Sequence, residues 1–386
     1  MKLKKLWMLA AILTISSSIS AQDSNVSFIK RVGNKLDSMS IKGVDRNYID
    51  APKNPWQIIL KGNINQSSLK MHSKGTLSVE ADDDVCIDVP YSATPSLKTE
   101  PSKYVGIWAG YRGYGLGYTV NVGGDKGSYL TFGAMGGAYG INVRVHSFEN
   151  SSPNFNLTSS LIPEGSEDEW QDVKLIDPIK VRTIIADGYY LFNGKHFSYA
   201  AAYDQSLIQK RSAGSLMVGG MYYYGSIRYD SDINGDLVYI MHGLGKIKLW
   251  QGSVGVGYAY NWVPVKGLLV NAMAMPMVTF VNRIKAYGYS TNVPELMQES
   301  EFLDENITDE EWDKWFYGQL KVAPAGSRIF NSGITLNFDA RLSVTYNFGR
   351  YFVGAYGQYN NFRYRHADSR GHLDDWYVNA AFGLRL

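Results

Sequence analysis

From Ile334 to Phe348 the chain alternates without a break. Ile334, Leu336, Phe338, Ala340, Leu342, Val344, Tyr346 and Phe348 fall on one face, and Thr335, Asn337, Asp339, Arg341, Ser343, Thr345 and Asn347 on the other. A period of two predicts a strand with unlike faces. This run is far longer than the roughly 5–6 residues common in soluble proteins. A soluble sandwich would give the same alternation with its apolar face turned inward. Length separates the two, because a tilted membrane strand needs about 9–11 residues to cross hydrocarbon, plus overhang.

Other segments repeat the pattern. Trp250, Val254, Val256, Tyr258, Tyr260 and Trp262 share a face opposite Ser253, Gly255, Gly257, Ala259 and Asn261, with aromatics at both ends of the apolar side, as interface anchors would be. Tyr139, Ile141, Val143 and Val145 alternate with Gly140, Asn142, Arg144 and His146. Phe197, Tyr199, Ala201 and Tyr203 alternate with His196, Ser198, Ala200, Ala202 and Asp204 and are predicted as a further strand. The first strand begins at Trp56, Ile58 and Leu60, and the last carries Trp376, Val378, Ala380, Phe382, Leu384 and Leu386 on one face. So apolar an edge is an aggregation hazard unless it is paired, so the last strand is expected to close against the first. The predicted fold is all-β: a transmembrane antiparallel β-barrel of about 12 strands (range 10–14), since even numbers are the rule for bacterial barrels.

Connections fit this plan. Pro264-Val265-Lys266-Gly267 and Gly349-Arg350 read as tight turns, while 149–178 and 288–328 are long. Thr308 and Glu311 form a capping-box pattern ahead of Trp312, Trp315, Phe316 and Leu320 at helical spacing, and Ser166 and Glu169 form a second ahead of Trp170 and Val173. Counting strands back from the C-terminus puts 288–328 outside but 149–178 on the opposite side. Either a strand is miscounted, or 231–248 hides a hairpin around Gly243 to Gly245.

The N-terminus differs in kind. Lys2, Lys4 and Lys5 precede an apolar run from Leu6 to Ile15, then Ser16 to Ser20 and Ala21. A charged start, a short apolar core and a small residue at the cut site make an export signal, too short to span a bilayer. The expected organisation is therefore 1–21 signal peptide, cut after Ala21; 22–55 a periplasmic or plug segment with a short helix through Phe28, Ile29, Val32, Leu36 and Met39; and 56–386 the barrel. Cleavage removes three lysines, leaving 35 basic against 36 acidic residues, a formal charge of −1. That balance argues against a nucleic-acid partner. Cys86 is the single cysteine, so no internal disulfide staples the fold. The 39 glycines and 28 tyrosines suit strands with aromatic girdles.

Five runs carry a resemblance: Tyr111 to Tyr118 (YRGYGLGY), Phe197 to Ala201 (FSYAA), Gln209 to Ser215 (QKRSAGS), Asp45 to Ile49 (DRNYI) and Asn360 to Arg365 (NNFRYR). With these the chain resembles a Bacteroidetes-type outer-membrane β-barrel family known only as domain of unknown function 4421, over nearly the whole mature chain. The resemblance implies an outer-membrane barrel and supplies no activity and no catalytic residues. The C-terminal strand is also similar to the amphipathic last strand of bacterial outer-membrane proteins, with Leu386 in place of the more frequent Phe.

Candidate chemistry is sparse. His196 and Ser198, read as a strand pair facing one way, resemble the arrangement of lipid A deacylase barrels. A nucleophile needs a base in reach and the base an orienting group. Asp204, eight residues from His196 along the same face, is too distant for that. Ordinary lumen lining is the simpler reading. The lumen-lining candidates are Arg144, His146, His196, Ser198, Asp204, Asp339 and Arg341, with both charge signs present. Asp82-Asp83-Asp84 with Glu80 and Asp88 lacks the spacing of a calcium loop, the six histidines form no zinc pattern, and Gly133-Ala134-Met135-Gly136-Gly137 lacks the Gly-Lys-Ser/Thr of a phosphate loop. No metal or cofactor is expected. The expected location is the cell outer membrane, with its lipid and lipopolysaccharide as partners and the assembly machinery engaging the last strand. A small-solute pore is the first functional expectation. A structural or surface-interaction barrel using 288–328 is the second, and a lipid-modifying enzyme resting on His196 and Ser198 the third.

Overall fold

The computed structural model describes residues 23–81, 85–123, 126–160, 171–172, 174–240, 244–300, 307–366 and 369–386. The export signal, Asp82-Asp83-Asp84 and the Ser166–Glu169 cap fall outside these residues. Twelve antiparallel strands form one closed barrel: β1 (Trp56–Ala81), β2 (Ser102–Tyr111), β3 (Tyr114–Gly123), β4 (Gly127–Met135), β5 (Tyr139–Asn150), β6 (Ile179–Leu191), β7 (Ala213–Arg228), β8 (Leu244–Trp262), β9 (Leu268–Thr291), β10 (Thr335–Phe348), β11 (Tyr351–His366) and β12 (Ser369–Arg385). Each pairs its sequence neighbours. The ring closes where β12 meets β1, from Arg385 opposite Gln57 to Arg370 opposite His72. This pairing removes the apolar edge that the last strand would otherwise present.

The alternation read from sequence places every strand's two faces. Leu342, Val256, Leu60 and Ile107 point outward and are 54–65% exposed, whereas Asp339, Arg341, Ser343 and Thr345 point inward and are buried. An exposed apolar belt of this extent has no stable counterpart on a soluble monomer, and hydrocarbon is the medium that accommodates it. Aromatics rim the belt at the end holding both barrel termini. Trp56 packs against Tyr111 at 5.0 Å between centroids, and Tyr346, Phe348, Tyr351 and Phe382 form a stack. At the other end Tyr224 meets Trp250.

The two ends are unlike. At the turn end, β2 and β3 are joined by Arg112-Gly113 alone, both with positive φ (52° and 89°). That is the two-residue turn whose twist matches a hairpin. A Cβ at position 113 would sit 2.2 Å from the Met135 carbonyl oxygen, so glycine is also required for space. At the loop end, β1 and β9 run on past the barrel as ribbons. The upper part of β1 pairs Val85–Lys98, whose far edge takes Asn154–Ser159, and the upper part of β9 pairs Val322–Asn331. At about 3.3 Å per residue, the 26 residues of β1 and 24 of β9 far exceed the roughly 30 Å of a hydrocarbon core.

Among the described residues there are five helices: α1 (Asp23–Ile41), α2 (Tyr199–Tyr203), α3 (Gly235–Ile240), α4 (Val293–Ser300) and α5 (Asp309–Gln319). The capping box expected at Thr308 and Glu311 starts α5. α1 ends against the turn end, where Arg112 Nε donates to Asp37 Oδ1 at 2.6 Å.

One expected strand is absent. Residues 197–204 do not cross the sheet; they hold α2, within the connection between β6 and β7. With that strand removed from the count, 149–178 and 288–328 come to the same end, and no hidden hairpin in 231–248 is needed. That stretch instead contains α3 and the start of β8. Phe197 to Ala202 are buried on every side, so their alternation in sequence reports no two-faced environment. Ser198 caps three alanine-rich positions, a helical signal.

Candidate functional site

The lumen is filled from two sources: inward side chains of the wall, and the connection 192–212, which folds back inside. The connection is tied to wall strands on both sides of the closing seam and to β8 and β9. Gln57 Nε2 of β1 and Arg385 Nη2 of β12 both donate to the Gln205 carbonyl, at 2.9 and 2.8 Å. Asn261 Nδ2 of β8 donates to the Ser198 carbonyl at 2.9 Å, and the Tyr203 hydroxyl donates to Asn271 Oδ1 of β9 at 2.5 Å. Below it, Ile49–Asp50 pairs Ile208–Gln209 in a two-strand bridge. Anchors on four wall strands make this segment a plug rather than a surface loop.

At its centre lies Arg341 of β10. Its Nη2 is 3.1 Å from Asp339 Oδ2 and 3.2 Å from Asp187 Oδ1 of β6. Nη1 donates to the Tyr199 hydroxyl on α2 at 2.6 Å, and Nη2 donates to the Tyr189 hydroxyl, which itself donates to Asp339 Oδ2 at 2.6 Å. Gln358 Nε2 donates to Asp339 Oδ1 and Asn142 Nδ2 to Asp187 Oδ2. One guanidinium thus bridges β6, β10 and the plug, with both carboxylates held by further donors. That is the condition under which buried charges are tolerated. The cavity left between Lys61, Arg144, Asp187 and Asp204 is about 50 Å³, room for a few waters.

The sequence candidates divide. Asp339 and Arg341 meet in one network. Arg144 points inward on β5, over the Tyr377 ring at 5.2 Å, with no carboxylate at ion-pair distance among the described residues. His146 is buried between the Tyr129 and Phe148 rings, and its Nε2 sits 2.8 Å from the Tyr104 hydroxyl. Asp204 belongs to the plug, where Oδ1 accepts from the Ser206 N–H.

His196 and Ser198 do not form a pair. Ser198 is fully buried, and its Oγ accepts from Ala201 N at 3.1 Å as the cap of α2. His196 sits at the turn end, its ring tilted against Tyr48 at 4.3 Å between centroids and its Nε2 3.4 Å from Asp45 Oδ2, so it does not line the lumen. The expected same-face geometry depended on a strand that is a capped helix. The Asp45 carboxyl is held below its ordinary value, first by the backbone N–H of Asn47 and then by the positive field of His196 and Lys195, against the effect of burial.

Sequence reasoning misses Asp187, Tyr189, Tyr199 and Gln205. The available signal is an acid, Asp187, at an inward position of β6, which calls for a cation across the lumen.

Solved outer-membrane barrels of distant sequence align along most of the chain. The translocator domain of autotransporter NalP from Neisseria meningitidis matches at 10% identity and a TM-score of 0.29, covering 94% of this chain and 98% of that one. The β domain of the Bordetella autotransporter BrkA matches at 12% and 0.30, covering 87% and 100%. OprG from Pseudomonas aeruginosa matches at 11% and 0.26, covering 86% and 96%. At such scores the barrel rests on its own strand pairings and not on these likenesses. No curated protein matches the chain. The model of the family described as Domain of unknown function (DUF4421) matches residues 44–382, and the chain belongs to that family.

Proposed function

We propose that this protein is an exported barrel of the bacterial outer membrane, sealed along its axis, that anchors two β ribbons at the cell surface for contact with partners. The observation that carries this reading is the filled lumen. A solute pore needs a continuous aqueous path, and here the plug and the Arg341 network occupy the axis. The outward apolar belt, with aromatics at both rims, supports a membrane setting. The two barrel termini share the short-turn end, as in barrels whose turns are periplasmic and whose long loops face outward. The ribbons of β1 and β9, with α4 and α5 between the two strands of the second, then reach beyond the surface. A hydrolytic role lacks support, because Ser198 is engaged as a helix cap and His196 is engaged with Asp45.

Liposome swelling tests the reading. Vesicles carrying the refolded protein are expected to swell no faster in small sugars than empty vesicles. Swelling at rates typical of general porins would overturn the sealed barrel in favour of the solute pore.

A further inference from the structure

Above the aromatic rim at the loop end, the outer faces of β11, β12 and β1 bring basic residues into rows. Register places Arg363, His372 and Lys70 side by side, and next to them Arg365, Arg370 and His72. Arg363, Arg365, Arg370 and Lys70 are exposed. Among the described residues none of the four is in an ion pair. Among the described residues the acid beside these rows is already occupied: Asp374 accepts from the Tyr359 hydroxyl and Asn361 Nδ2 at 2.6 Å each and lies 3.4 Å from His372 Nε2.

Directly opposed like charges destabilise a sheet. Arg365 facing Arg370 is an opposition that a bound anion would relieve, and no described carboxylate lies at ion-pair distance from either arginine. A contrast sits on the far side of the barrel, where Lys246, Lys248 and Lys285 gather over the Tyr287 ring at 4.9–5.9 Å. Those cations have a partner within the fold.

Two outward-facing rows toward the barrel middle, past Asn361, Asp374 and Ser68, the same three strands present Tyr359, Trp376 and Gln66, and beyond them the apolar Val378 and Ile64 and then Phe382 and Leu60. A groove of about 840 Å³ lies over the basic rows, lined by Lys70, Arg363, Arg365, Arg370 and His372 and reaching Tyr359 on the barrel side. A lattice of guanidinium groups over a girdle and an apolar strip matches an anionic headgroup with acyl chains beneath it.

We propose that the array binds the phosphates of an outer-leaflet glycolipid of the lipid A class, its acyl chains lying along Val378, Ile64 and Phe382. This rests on the outer-membrane reading above, which puts the loop end in the outer leaflet.

Native mass spectrometry of the full-length protein from detergent micelles tests it, with bisphosphorylated lipid A, the same glycolipid stripped of phosphate, phosphatidylglycerol and inorganic phosphate as probes. The expected result is at least about tenfold tighter retention of bisphosphorylated lipid A than of any other probe. The variant R363A/R365A/R370A is expected to lose that preference while K266A, at the turn end, keeps it. Heat-modifiable gel mobility establishes that each variant is folded. Equal retention of the dephosphorylated lipid, equal retention of phosphatidylglycerol, inorganic phosphate binding as tightly, or an unaffected triple variant would each overturn the assignment. A folded, detergent-dependent barrel that fails these tests leaves the membrane reading intact. A protein that stays monodisperse without detergent removes that reading instead.

Discussion

The two ends of this barrel solve opposite problems. The turn end is compact: two-residue hairpins, α1 laid against Arg112, and a plug pinned by Gln57 and Arg385. The loop end is extended: β1 and β9 overrun the bilayer span and build ribbons with Val85–Lys98 and Val322–Asn331. At the turn end the charged side chains Arg112 and Arg385 both donate to groups of the chain itself, Asp37 and the Gln205 carbonyl. At the loop end Arg365 lies opposite Arg370, and no described carboxylate pairs with either. This contrast locates function in a fold that itself specifies none: the closed end supplies the anchor, and the open end makes the contacts.

The largest effect is expected at Arg341, which ties the wall to the plug of the closed end. Replacing Arg341 by Leu leaves Asp187 and Asp339 buried without their cation, and a loss of about 3–5 kcal/mol is expected. Urea unfolding in detergent would show it as an earlier loss of the heat-modifiable form. An unchanged midpoint would mean that the network is hydrated and contributes little. Tyr104→Phe removes the hydroxyl partner of the His146 Nε2 inside a stack of rings, with an expected cost of about 1–3 kcal/mol in the same assay.

The smallest effect lies in the loop-end ribbon. The Glu311 carboxyl is lowered from its ordinary value, chiefly by the side-chain hydrogen bond from Thr308 and then by the Thr308 backbone N–H. A depressed carboxylate stabilises above its unfolded value, and that contribution is lost as pH falls through the folded one. Acid, not base, is therefore expected to fray the start of α5. Thr308→Ala should raise amide exchange across 309–312 roughly fivefold at neutral pH. It should leave the barrel amides unchanged, since the helix is remote from the closed end.

Much of the fold is legible in the sequence because a membrane strand exposes one face to lipid and the other to a polar lumen, and period two records that contrast. Ile334 to Phe348 and Trp376 to Leu386 can be assigned, face by face, from residue type alone. The capping box at Thr308 is legible for a similar reason, since it is a local pattern with a local cause. The plug is not. Phe197 to Tyr203 alternate in residue type, yet they lie inside the barrel, where no face meets lipid, and the alternation carries no information. That same alternation makes His196 and Ser198 look like a pair and inverts the sidedness of 149–178. Arg341 and Asp339 are recognisable as inward charges, but their partner Asp187 lies on β6, far from β10 in sequence, and is brought near only by closure of the ring.

Removing the seal tests it most directly. Replacing residues 194–211 by a short Gly-Ser turn and recording both proteins in planar bilayers compares the plugged and emptied barrel. Silence is expected from the intact protein, and stepwise currents from the heat-modifiable, folded deletion. Steps of equal size from both proteins would contradict a sealed lumen, as would silence from a folded deletion.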